Sequence, residues 1–283
     1  MHINIFVSQR CFVYCKGCYS YSREEKCDSM LSTSKIIDFL KYIYKKGVKR
    51  VTFCGGDPLT REDIIELLSE TKTIGFNISL DTLGSTIIED RVVGNKVLKK
   101  IDVEKLAKYV DVIGIPIDGS SSEIISGFRI TKEDIFNKQL KVCEELHKYN
   151  ATICINTVVH KKNLSDAKKI AKVMNKLDYI KKWQAFQYIP IGKFGYLNRK
   201  MFEISEEEYC AFKECVLDNY KYKDKIQFKD AQLRNKAYML VDNSGNAWVP
   251  DYEKVQGAYL NKRTIIGNIT NKSDWEKIYE YLK

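Results

Sequence analysis

The chain has 283 residues, of which 44% are apolar, 30% charged and 12% aromatic, as in an ordinary globular protein. This aromatic content excludes an intrinsically disordered chain, and no run reaches the roughly 18 apolar residues that a membrane-spanning helix requires. The N-terminus lacks the apolar core of a signal peptide, so we expect a cytoplasmic protein without membrane attachment. The length allows one large domain or two small ones.

Cysteine content and net charge both point to chemistry. Nine cysteines in a chain without a secretion signal favour metal or redox chemistry over a disulfide framework. The 47 Lys and Arg residues outnumber the 37 Asp and Glu residues, for a net charge of +10. This excess favours an anionic partner such as a nucleotide, a nucleic acid, phosphate or an acidic peptide. A Lys-rich surface without a dedicated partner is the alternative.

Short β-rich segments alternate with amphipathic helical segments over the first 190 residues. Strands are predicted over residues 3–8, 48–54, 76–80, 112–117, 152–158 and 183–189. Helices are predicted from a cap at Ser32 or Ser34 to Lys46, from a cap at Thr60 to Thr73, and over residues 103–109, 132–149 and 165–177. This alternation predicts βα units around a parallel sheet. Six units are too few for a closed eight-stranded barrel, so we expect a partial barrel with its chemistry at the carboxyl ends of the strands.

The pattern changes after Gly195. A charged helix capped by Ser205 is predicted to run to about Tyr220, followed by a hairpin with strands over 237–241 and 246–249 and a turn over 242–245. A short last helix follows Ser273. The sequence therefore predicts a partial barrel over residues 1–195 and a small α+β cap on the same core over residues 196–283.

Three cysteines follow the first predicted strand in the pattern C-x-x-x-C-x-x-C: Cys11, Cys15 and Cys18. The spacing suits three thiolates that converge on one inorganic cluster. A [4Fe–4S] cluster with three protein ligands keeps one iron open for another molecule, as an open zinc site does. Structural zinc is the alternative, with Cys27 as the local candidate for its fourth ligand.

A second motif, Gly55-Gly56-Asp57-Pro58-Leu59, follows the second predicted strand. Together and in this order, the two motifs resemble the radical SAM superfamily, whose signatures are this cysteine spacing and a Gly-Gly-Glu-Pro run on a partial (β/α)6 barrel. The resemblance covers residues 1–190. It implies one [4Fe–4S] cluster and S-adenosylmethionine (SAM) as cofactors, reductive cleavage of SAM to a 5′-deoxyadenosyl radical, and hydrogen abstraction from a substrate. The protein then supplies placement and exclusion of water.

The resemblance also implies which residues contact SAM. Gly55 and Gly56 would let the backbone approach the methionine moiety closely. Asp57 is shorter than the family's usual Glu, so its contact is either direct or mediated by its backbone. Weaker similarities assign a ribose contact to Asp118 and Ser120, the methionine carboxylate to Arg129, and a further SAM contact to Asn156.

One position departs from the family pattern. Many members carry an aromatic residue just before the third cysteine, where it contacts the adenine, and this chain has Gly17 there. Tyr14 and Tyr19 are the neighbouring rings that can take this role. Glycine at this position is similar to the activating enzymes of glycyl radical proteins.

The remaining cysteines have no assigned chemistry. Cys54, Cys143 and Cys154 lie in strand or helix patterns and are predicted to be small buried side chains. Cys210 and Cys215 are five residues apart on one helix and do not share a face well. Residues 242–268 resemble the frame of an extension that binds extra clusters in peptide-modifying relatives, but no cysteine follows Cys215. We therefore predict a single cluster.

Much of the net positive charge lies near the last barrel strand. Between His160 and Lys200 the chain has eleven Lys or Arg residues and two Asp residues. A solvated helix face explains some of them. Those that flank the sixth strand are better candidates for binding anionic groups: Lys181, Lys182, Lys193 and Arg199.

Three substrate classes are compatible with these motifs. The first, which we predict, is a peptide or protein side chain in natural-product maturation, although the chain starts at its first strand without a leader-binding domain. The second is a nucleoside triphosphate, because residues 183–191, 204–209 and 238–245 are similar to viperin-like dehydratases, although the cysteine loop departs from theirs. The third is a glycyl-radical enzyme, indicated by residues 16–19 and the Gly-Gly-Asp-Pro-Leu run. The family resemblance implies a flavodoxin- or ferredoxin-type electron donor. A non-catalytic redox or nucleic-acid-binding protein is the remaining alternative.

Overall fold

A mixed α/β fold is built around one ten-stranded sheet. The structure, a computed structural model, describes residues 2–20, 30–255 and 258–283. In these ranges the strands are, in chain order, Ile3–Phe6 (β1), Tyr14–Cys15 (β2), Arg50–Cys54 (β3), Asn77–Asp81 (β4), Arg91–Val93 (β5), Lys96–Leu98 (β6), Val112–Pro116 (β7), Arg129–Ile130 (β8), Ile153–Val159 (β9), Lys182–Gln187 (β10), Ile226–Lys229 (β11), Met239–Val241 (β12), Asn246–Val255 (β13) and Ala258–Asn268 (β14).

Helices connect these strands and cover one face of the sheet. In chain order they are Thr33–Lys45 (α1), Ile64–Ile74 (α2), Ser85–Ile88 (α3), Val103–Tyr109 (α4), Ser122–Ser126 (α5), Ile135–Lys148 (α6), Ala167–Met174 (α7), Gly192–Leu197 (α8), Arg199–Phe202 (α9), Glu206–Asn219 (α10), Ala231–Arg234 (α11) and Trp275–Glu280 (α12). No helix in the described ranges is long and apolar enough to cross a bilayer. Cys27, the predicted fourth ligand for zinc, lies outside the described residues.

Six parallel strands lie side by side in chain order: β1, β3, β4, β7, β9 and β10. These are the six predicted strands, and each neighbouring pair is connected by at least one helix. Consecutive parallel strands with crossover helices generate the curved sheet of a partial barrel. The predicted partial (β/α)6 barrel is therefore confirmed.

The two faces of these strands differ in chemistry. Successive side chains point to opposite faces, and one set, including Ile5, Phe53 and Ile155, packs against the buried faces of the helices in the main core. The alternate set points away from the helices and is polar and only partly buried: Asn4, Thr52, Ser79, Asp81, Asn156 and Gln184. The interior of the barrel is therefore a polar surface that solvent reaches.

Local signals set most helix ends. The Ser32 side chain caps α1, and Ser205 forms a capping box at the start of α10, as the sequence predicts. The cap predicted at Thr60 is wrong, because α2 begins after Asp63. Thr60 lies in a preceding 3₁₀ turn, where its hydroxyl is 2.6 Å from that of Ser8. This hydroxyl therefore ties the turn to the chain that follows β1.

The C-terminal part adds strands to both edges of the barrel sheet. β11 pairs in parallel with β10, and β12 pairs in parallel with β1. The predicted hairpin is present as β12 and β13, but β11 and β14 were not predicted. A small apolar cluster joins the two sides of the barrel through Phe6, Ile189, Ile191, Leu240 and Trp248. The tail thus shares the barrel's core, as expected, while the division at residue 195 stays a prediction.

Candidate cluster and cofactor site

The three predicted cluster ligands lie in the loop that leaves the carboxyl end of β1. Cys11, Cys15 and Cys18 contribute to one group of packed side chains, and all are free thiols. Burial raises the pKa of Cys11 to about 12, with further contributions from Asp57 and the other two cysteines. The three sulfurs are therefore close enough to influence one another. A metal group that binds here must displace their protons.

This donor set suits a cluster better than a single ion. In the part of the chain that the structure describes, no three His, Cys, Asp or Glu side chains are close enough to hold one metal ion. An iron–sulfur cubane presents a separate iron to each thiolate, so its ligands need not meet at one point. Arg129 Nη1 lies 3.4 Å from Cys15 Sγ, where its charge offsets that of thiolate ligands. The residues present thus fit a [4Fe–4S] cluster.

The Gly-Gly-Asp-Pro run folds directly against the start of the cysteine loop. Gly56 N donates to Ser8 O at 2.7 Å, and Asp57 N donates to Arg10 O at 2.6 Å. A Cβ on Gly55 would lie 2.6 Å from Ser8 O, and a Cβ on Gly56 would lie 2.1 Å from Arg10 O. Both glycines are therefore needed for contact between two backbone segments, in addition to the predicted approach to SAM.

The Asp57 carboxylate joins the ends of two strands. It is 1% exposed. Its Oδ1 accepts hydrogen bonds from Leu59 N at 3.0 Å and Thr82 Oγ1 at 2.7 Å, and its Oδ2 accepts from Leu83 N at 2.8 Å. Burial raises the pKa of Asp57 to about 6, and these bonds oppose the rise. A direct carboxylate contact with SAM would have to replace one of these bonds, whereas a backbone contact would not.

Gly17 is closely packed between two rings. A Cβ at this position would lie 2.5 Å from Phe128 and 2.8 Å from Tyr188. Those rings occupy the space that a larger side chain before Cys18 would need. The departure from the family pattern at Gly17 thus has a packing cause.

The two candidate adenine-contacting rings pack against different parts of the fold. Tyr19 meets Phe6 edge-on at a centroid distance of 5.8 Å, on the barrel side. Burial and the charge of Asp81 raise the pKa of the neighbouring Cys54 thiol, and a hydrogen bond with Tyr19 opposes this. Tyr14 instead meets Phe194 of α8 at 5.7 Å, and the two tyrosines are similarly exposed, at 39% and 40%. Tyr19 is therefore the ring that faces the barrel interior.

Asp118 and Arg129, both predicted to contact SAM, form an ion pair with each other. Arg129 Nε donates to Asp118 Oδ2 at 2.6 Å, and Val158 N donates to Asp118 Oδ1 at 2.8 Å. Burial alone would lower the pKa of Arg129, but the charges of Asp118 and Cys15 raise it overall. The pair is therefore a charged bridge between the end of β7 and the cysteine loop.

The other two predicted SAM contacts are also engaged within the protein. Ser120 donates through its backbone N and its Oγ to the Asp166 carboxylate, at 2.7 and 2.8 Å. Asn156 Nδ2 donates to Asp81 Oδ1 at 3.0 Å inside the barrel. Asn156 thus lies on the fifth barrel strand, as predicted. Its partner, the Asp81 carboxylate, was not among the predicted site residues.

We call the barrel-facing positions on five neighbouring strands the inner wall: Asp81, Gly114, Cys154, Asn156, Lys182, Gln184 and Lys229. Gln184 Nε2 lies 3.1 Å from Cys154 Sγ. Burial raises the pKa of Cys154 to about 11, while Gln184, Lys182 and Lys229 lower it, so both ammonium groups are near this thiol. Burial also raises the pKa of Asp81 to about 6, against its bond from Asn156. The inner wall therefore combines two cations, two amides and one carboxyl.

A sequence signal for Asp81 existed. It ends β4, as Asp57 and Asp118 follow β3 and β7, and polar residues at the carboxyl ends of parallel strands meet at a ligand site. Lys229 had no such signal, because β11 is short and its pairing with β10 depends on the tertiary fold.

His160 lies beneath the cysteine loop in a fully buried position. Its ring stacks on Phe128 at 4.8 Å, Nδ1 accepts from Lys162 N at 3.2 Å, and no group among the described residues bonds to Nε2. Burial lowers the pKa of His160 to about 4. The folded state thus holds a neutral imidazole whose pKa in the unfolded chain is about 6.5.

We expect His160 to make the protein less stable in acid. Between about pH 6.5 and pH 4 the unfolded state binds the extra proton, so stability falls as the pH falls. The shift corresponds to about 3 kcal/mol. Asp57 and Asp81 have raised pKa values and therefore stabilise the folded state as the pH falls. The measurement that isolates His160 is the difference in the free energy of unfolding between wild type and His160→Gln, taken in urea on the cluster-free protein at several pH values. A difference that stays constant with pH would contradict this.

Comparison with known proteins identifies the family. The sequence profile of the Radical SAM superfamily matches residues 5–174, the part that contains the cysteine loop, the glycine run and most of the barrel. This chain belongs to the radical SAM superfamily. It is therefore an enzyme whose cofactors are a [4Fe–4S] cluster and S-adenosylmethionine.

Similar individual proteins carry two kinds of names. A nucleotide dehydratase dependent on S-adenosylmethionine from Lacinutrix mariniflava is 27% identical over 86% of this chain and 49% of its own length. Another from Flammeovirga pacifica is 24% identical over 99% of this chain and 92% of its own length. Among solved structures, SuiB of Streptococcus suis bound to S-adenosylmethionine superimposes with a TM-score of 0.69. The match has 16% identity and covers 87% of this chain and 59% of SuiB. SuiB was also solved with its precursor peptide SuiA. The chain thus spans about half the length of the first relative.

Proposed function

We propose that this enzyme removes water from a nucleoside triphosphate and that the inner wall binds this substrate. The observation that carries the proposal is the pair of cations, Lys182 and Lys229, on a barrel interior that also offers amides and a carboxyl group. The names of the two dehydratases similar in sequence support it, as does the similarity of residues 183–191 to viperin-like enzymes. This places the nucleotide ahead of the peptide that sequence patterns alone had favoured.

The two lysines suit the phosphates of the substrate. Lys182 and Lys229 lie on neighbouring strands, β10 and β11, and both are only partly buried. Charge-assisted hydrogen bonds to phosphate are stronger than neutral ones, and a partly water-excluded surface strengthens them further. The amides of Asn156 and Gln184 present both donors and acceptors, which suits the sugar or base.

Asp81 is placed to move a proton. After hydrogen abstraction, dehydration releases a hydroxyl group as water, which requires a proton at the leaving oxygen and one further electron from the reductant. Oδ1 of Asp81 accepts from Asn156, and among the described residues no hydrogen bond occupies Oδ2. With its pKa raised to about 6 by burial, Asp81 can hold a proton near neutral pH and donate it from Oδ2.

The cofactor site is built by the cysteine loop and the turns beside it. When bound, the cluster and SAM supply the radical that abstracts hydrogen from the substrate. Cys11, Cys15 and Cys18 would hold the cluster, Arg129 and Asp118 orient the loop, and Tyr19 closes the site on the barrel side. We propose SAM contacts at the backbone of Gly55–Asp57 and at Asn156, on the evidence of their position between the loop and the inner wall.

The substrate class is tested by product analysis. Reconstituted enzyme with SAM and dithionite is incubated without oxygen with each nucleoside triphosphate. We expect one of them to stimulate 5′-deoxyadenosine formation and to yield a product lighter by one water. Lys182→Gln and Lys229→Gln each remove one charge-assisted bond, and we expect about ten-fold weaker nucleotide binding from each. The neighbouring exposed Lys181→Gln is the matched control and should bind as wild type.

Peptide modification is the second candidate, because this fold is shared with SuiB, which was solved with a peptide. Small peptides encoded near the gene form a parallel arm of the same experiment. A modified peptide without any dehydrated nucleotide would overturn the proposed substrate. Equal loss of nucleotide binding in Lys181→Gln and Lys182→Gln would instead show that the inner wall is not the binding surface.

A further inference from the structure

A cleft opens at the amino end of the barrel, which is the end opposite the cysteine loop. Its volume is about 530 Å³, which lies in the usual range for sites that bind small molecules. It forms where the start of β1, the turn between α1 and β3, and the residues after α12 meet. Among the described residues no Asp or Glu lines it, whereas five basic side chains do: His2, Lys46, Lys49, Arg50 and Lys283. We call it the amino-end cleft.

The turn after α1 supplies three of these side chains. Lys46 caps the helix, and the next residue, Gly47, has a φ of +103°. This left-handed conformation, which glycine adopts without strain, turns the chain from the helix into β3. Lys46 therefore lies on one side of the turn, and Lys49 and Arg50 lie on the other. All three residues are exposed.

Sheet pairing and helix packing complete the amino-end cleft. β1 and β3 are parallel neighbours, and the residues just before their first register pair, His2 and Arg50, lie side by side. Tyr279 Oη donates to Lys46 O at 3.1 Å and joins α12 to the end of α1. The Tyr279 ring also lines the cleft, so one wall is aromatic. The tertiary fold thus brings together cations that are far apart in sequence.

The positive charge of the amino-end cleft is only partly compensated. Lys46 Nζ lies 2.8 Å from Glu276 on α12, and Lys283 is paired with a second carboxylate of that helix. In the part of the chain that the structure describes, no carboxylate pairs with Lys49 or Arg50. A concave surface with uncompensated charge focuses the electrostatic field and attracts ions of the opposite sign. A bound anion would therefore relieve the repulsion between these cations.

His2 lies between the amino-end cleft and the inner wall. Its ring stacks on Tyr238 at a centroid distance of 6.1 Å. Burial lowers the pKa of His2, and the charges of Lys229 and Arg50 lower it further, so one cation from each site is near this ring. Lys229 does not line the cleft. The cleft is therefore a second group of cations that is built from residues other than those of the inner wall.

We infer that the amino-end cleft binds an oligophosphate, either free or as the phosphate chain of a nucleotide. An oligophosphate carries several negative charges close together, which matches cations that project from separate elements. Arg50 can bind phosphate oxygens in pairs and Lys49 as a point charge, both through charge-assisted hydrogen bonds. The ring of Tyr279 offers a flat apolar surface for a base. The inference does not depend on the proposed function, because the cleft and the inner wall share no residue.

Calorimetry with inorganic tripolyphosphate tests the site on the cluster-free full chain. The inner wall is first disabled by the double change Lys182→Gln with Lys229→Gln, which we call the wall variant, so that only the cleft is left to bind. The cleft variant adds Lys49→Gln with Arg50→Gln to this background. Addition of Arg50→Gln alone gives a second variant, because Lys49 also donates to a backbone carbonyl at 3.2 Å.

The matched control adds Lys41→Gln with Lys45→Gln to the wall variant. Both lysines are exposed on α1, and neither lines the cleft. The control therefore removes the same charge from the same region without changing the proposed site. Unchanged midpoints of urea unfolding show that each variant folds.

We expect the wall variant to bind tripolyphosphate, the cleft variant to bind it about ten-fold more weakly or worse, and the control to bind as the wall variant does. Added salt should weaken binding, because Lys49 and Arg50 are exposed. A nucleoside triphosphate that binds more tightly than tripolyphosphate would support a nucleotide as the ligand. Equal affinities would support recognition of the phosphate chain alone.

Three results would overturn the inference. They are no binding of tripolyphosphate to the wall variant, an equal loss of binding in the control, and tighter binding of a single-stranded DNA oligonucleotide, which would assign the surface to nucleic acid. Failure of the proposed function has a different signature. The wall variant would then bind a nucleoside triphosphate with the same stoichiometry and affinity as wild type, while the cleft variant would still lose tripolyphosphate.

Discussion

Cys15→Ala is expected to abolish cluster binding and SAM cleavage. Cys15 is the central ligand of the motif, is 8% exposed and lies 3.4 Å from the Arg129 guanidinium. Two thiolates cannot replace three on a cubane whose remaining iron must stay open. Loss of an outer-shell partner costs metal sites about 10- to 100-fold, so loss of a ligand should reduce cleavage by more than roughly 100-fold. Iron and sulfide content, visible absorbance and 5′-deoxyadenosine formation measure the effect after anaerobic reconstitution.

Cys210→Ala is the control, because Cys210 is an exposed thiol on α10 and should leave iron content and cleavage unchanged. Cys15→Ser preserves the volume of the side chain and separates ligation from packing. Wild-type iron content in both Cys15 variants would show that the three cysteines do not hold the cluster.

Gly56→Ala is expected to disrupt the cysteine loop without touching any ligand. The new methyl group would lie 2.1 Å from Arg10 O and 2.7 Å from Arg10 C, both backbone atoms that cannot rotate away. Either the loop or the turn must move, which breaks the bond from Asp57 N to Arg10 O. Overpacking of this kind costs up to about 3 kcal/mol. We expect a loss of that size in urea unfolding of the cluster-free protein, together with lower iron content after reconstitution.

Gly94→Ala separates this steric effect from backbone strain. Gly94 has a φ of +61° and open space around its would-be Cβ, so Ala there should cost only about 1 to 2 kcal/mol of left-handed strain. It lies in the turn between β5 and β6 and should leave iron content unchanged. If Gly56→Ala binds the cluster as well as Gly94→Ala does, contact between the two motifs is not needed to shape the site.

Local patterns predicted the frame of the site with little error. The six barrel strands alternate with helices, and the caps and apolar spacing of those helices depend on residues close in sequence. The barrel strands could therefore be predicted without knowing which strands they pair with. The cysteine spacing is local in the same sense, since Cys11, Cys15 and Cys18 lie on one short loop. The burial of Cys54, Cys143 and Cys154 also followed from their positions in strands and helices, and the structure confirms it.

Long-range pairing explains what sequence reasoning missed. Thr60 has the side chain of a helix cap, but its hydroxyl contacts Ser8, 52 residues earlier. The fold pairs Asp118 with Arg129 through an ion pair that no local pattern reveals, while the SAM contacts assigned to them stay predictions. β11 and β14 are sheet strands because β10 and β13 present open edges to them, which no local pattern reveals.

The amino-acid sequence by itself determined the family, the cofactors and the partial barrel, because those depend on short motifs and on the periodicity of single elements. Only the tertiary structure decided what surrounds the chemistry. It brought Asp81, Asn156, Lys182 and Lys229 from separate strands onto one inner wall. The physical reason is that charge and hydrogen bonding act through space, so the role of a lysine or a carboxylate depends on which strands the fold makes neighbours.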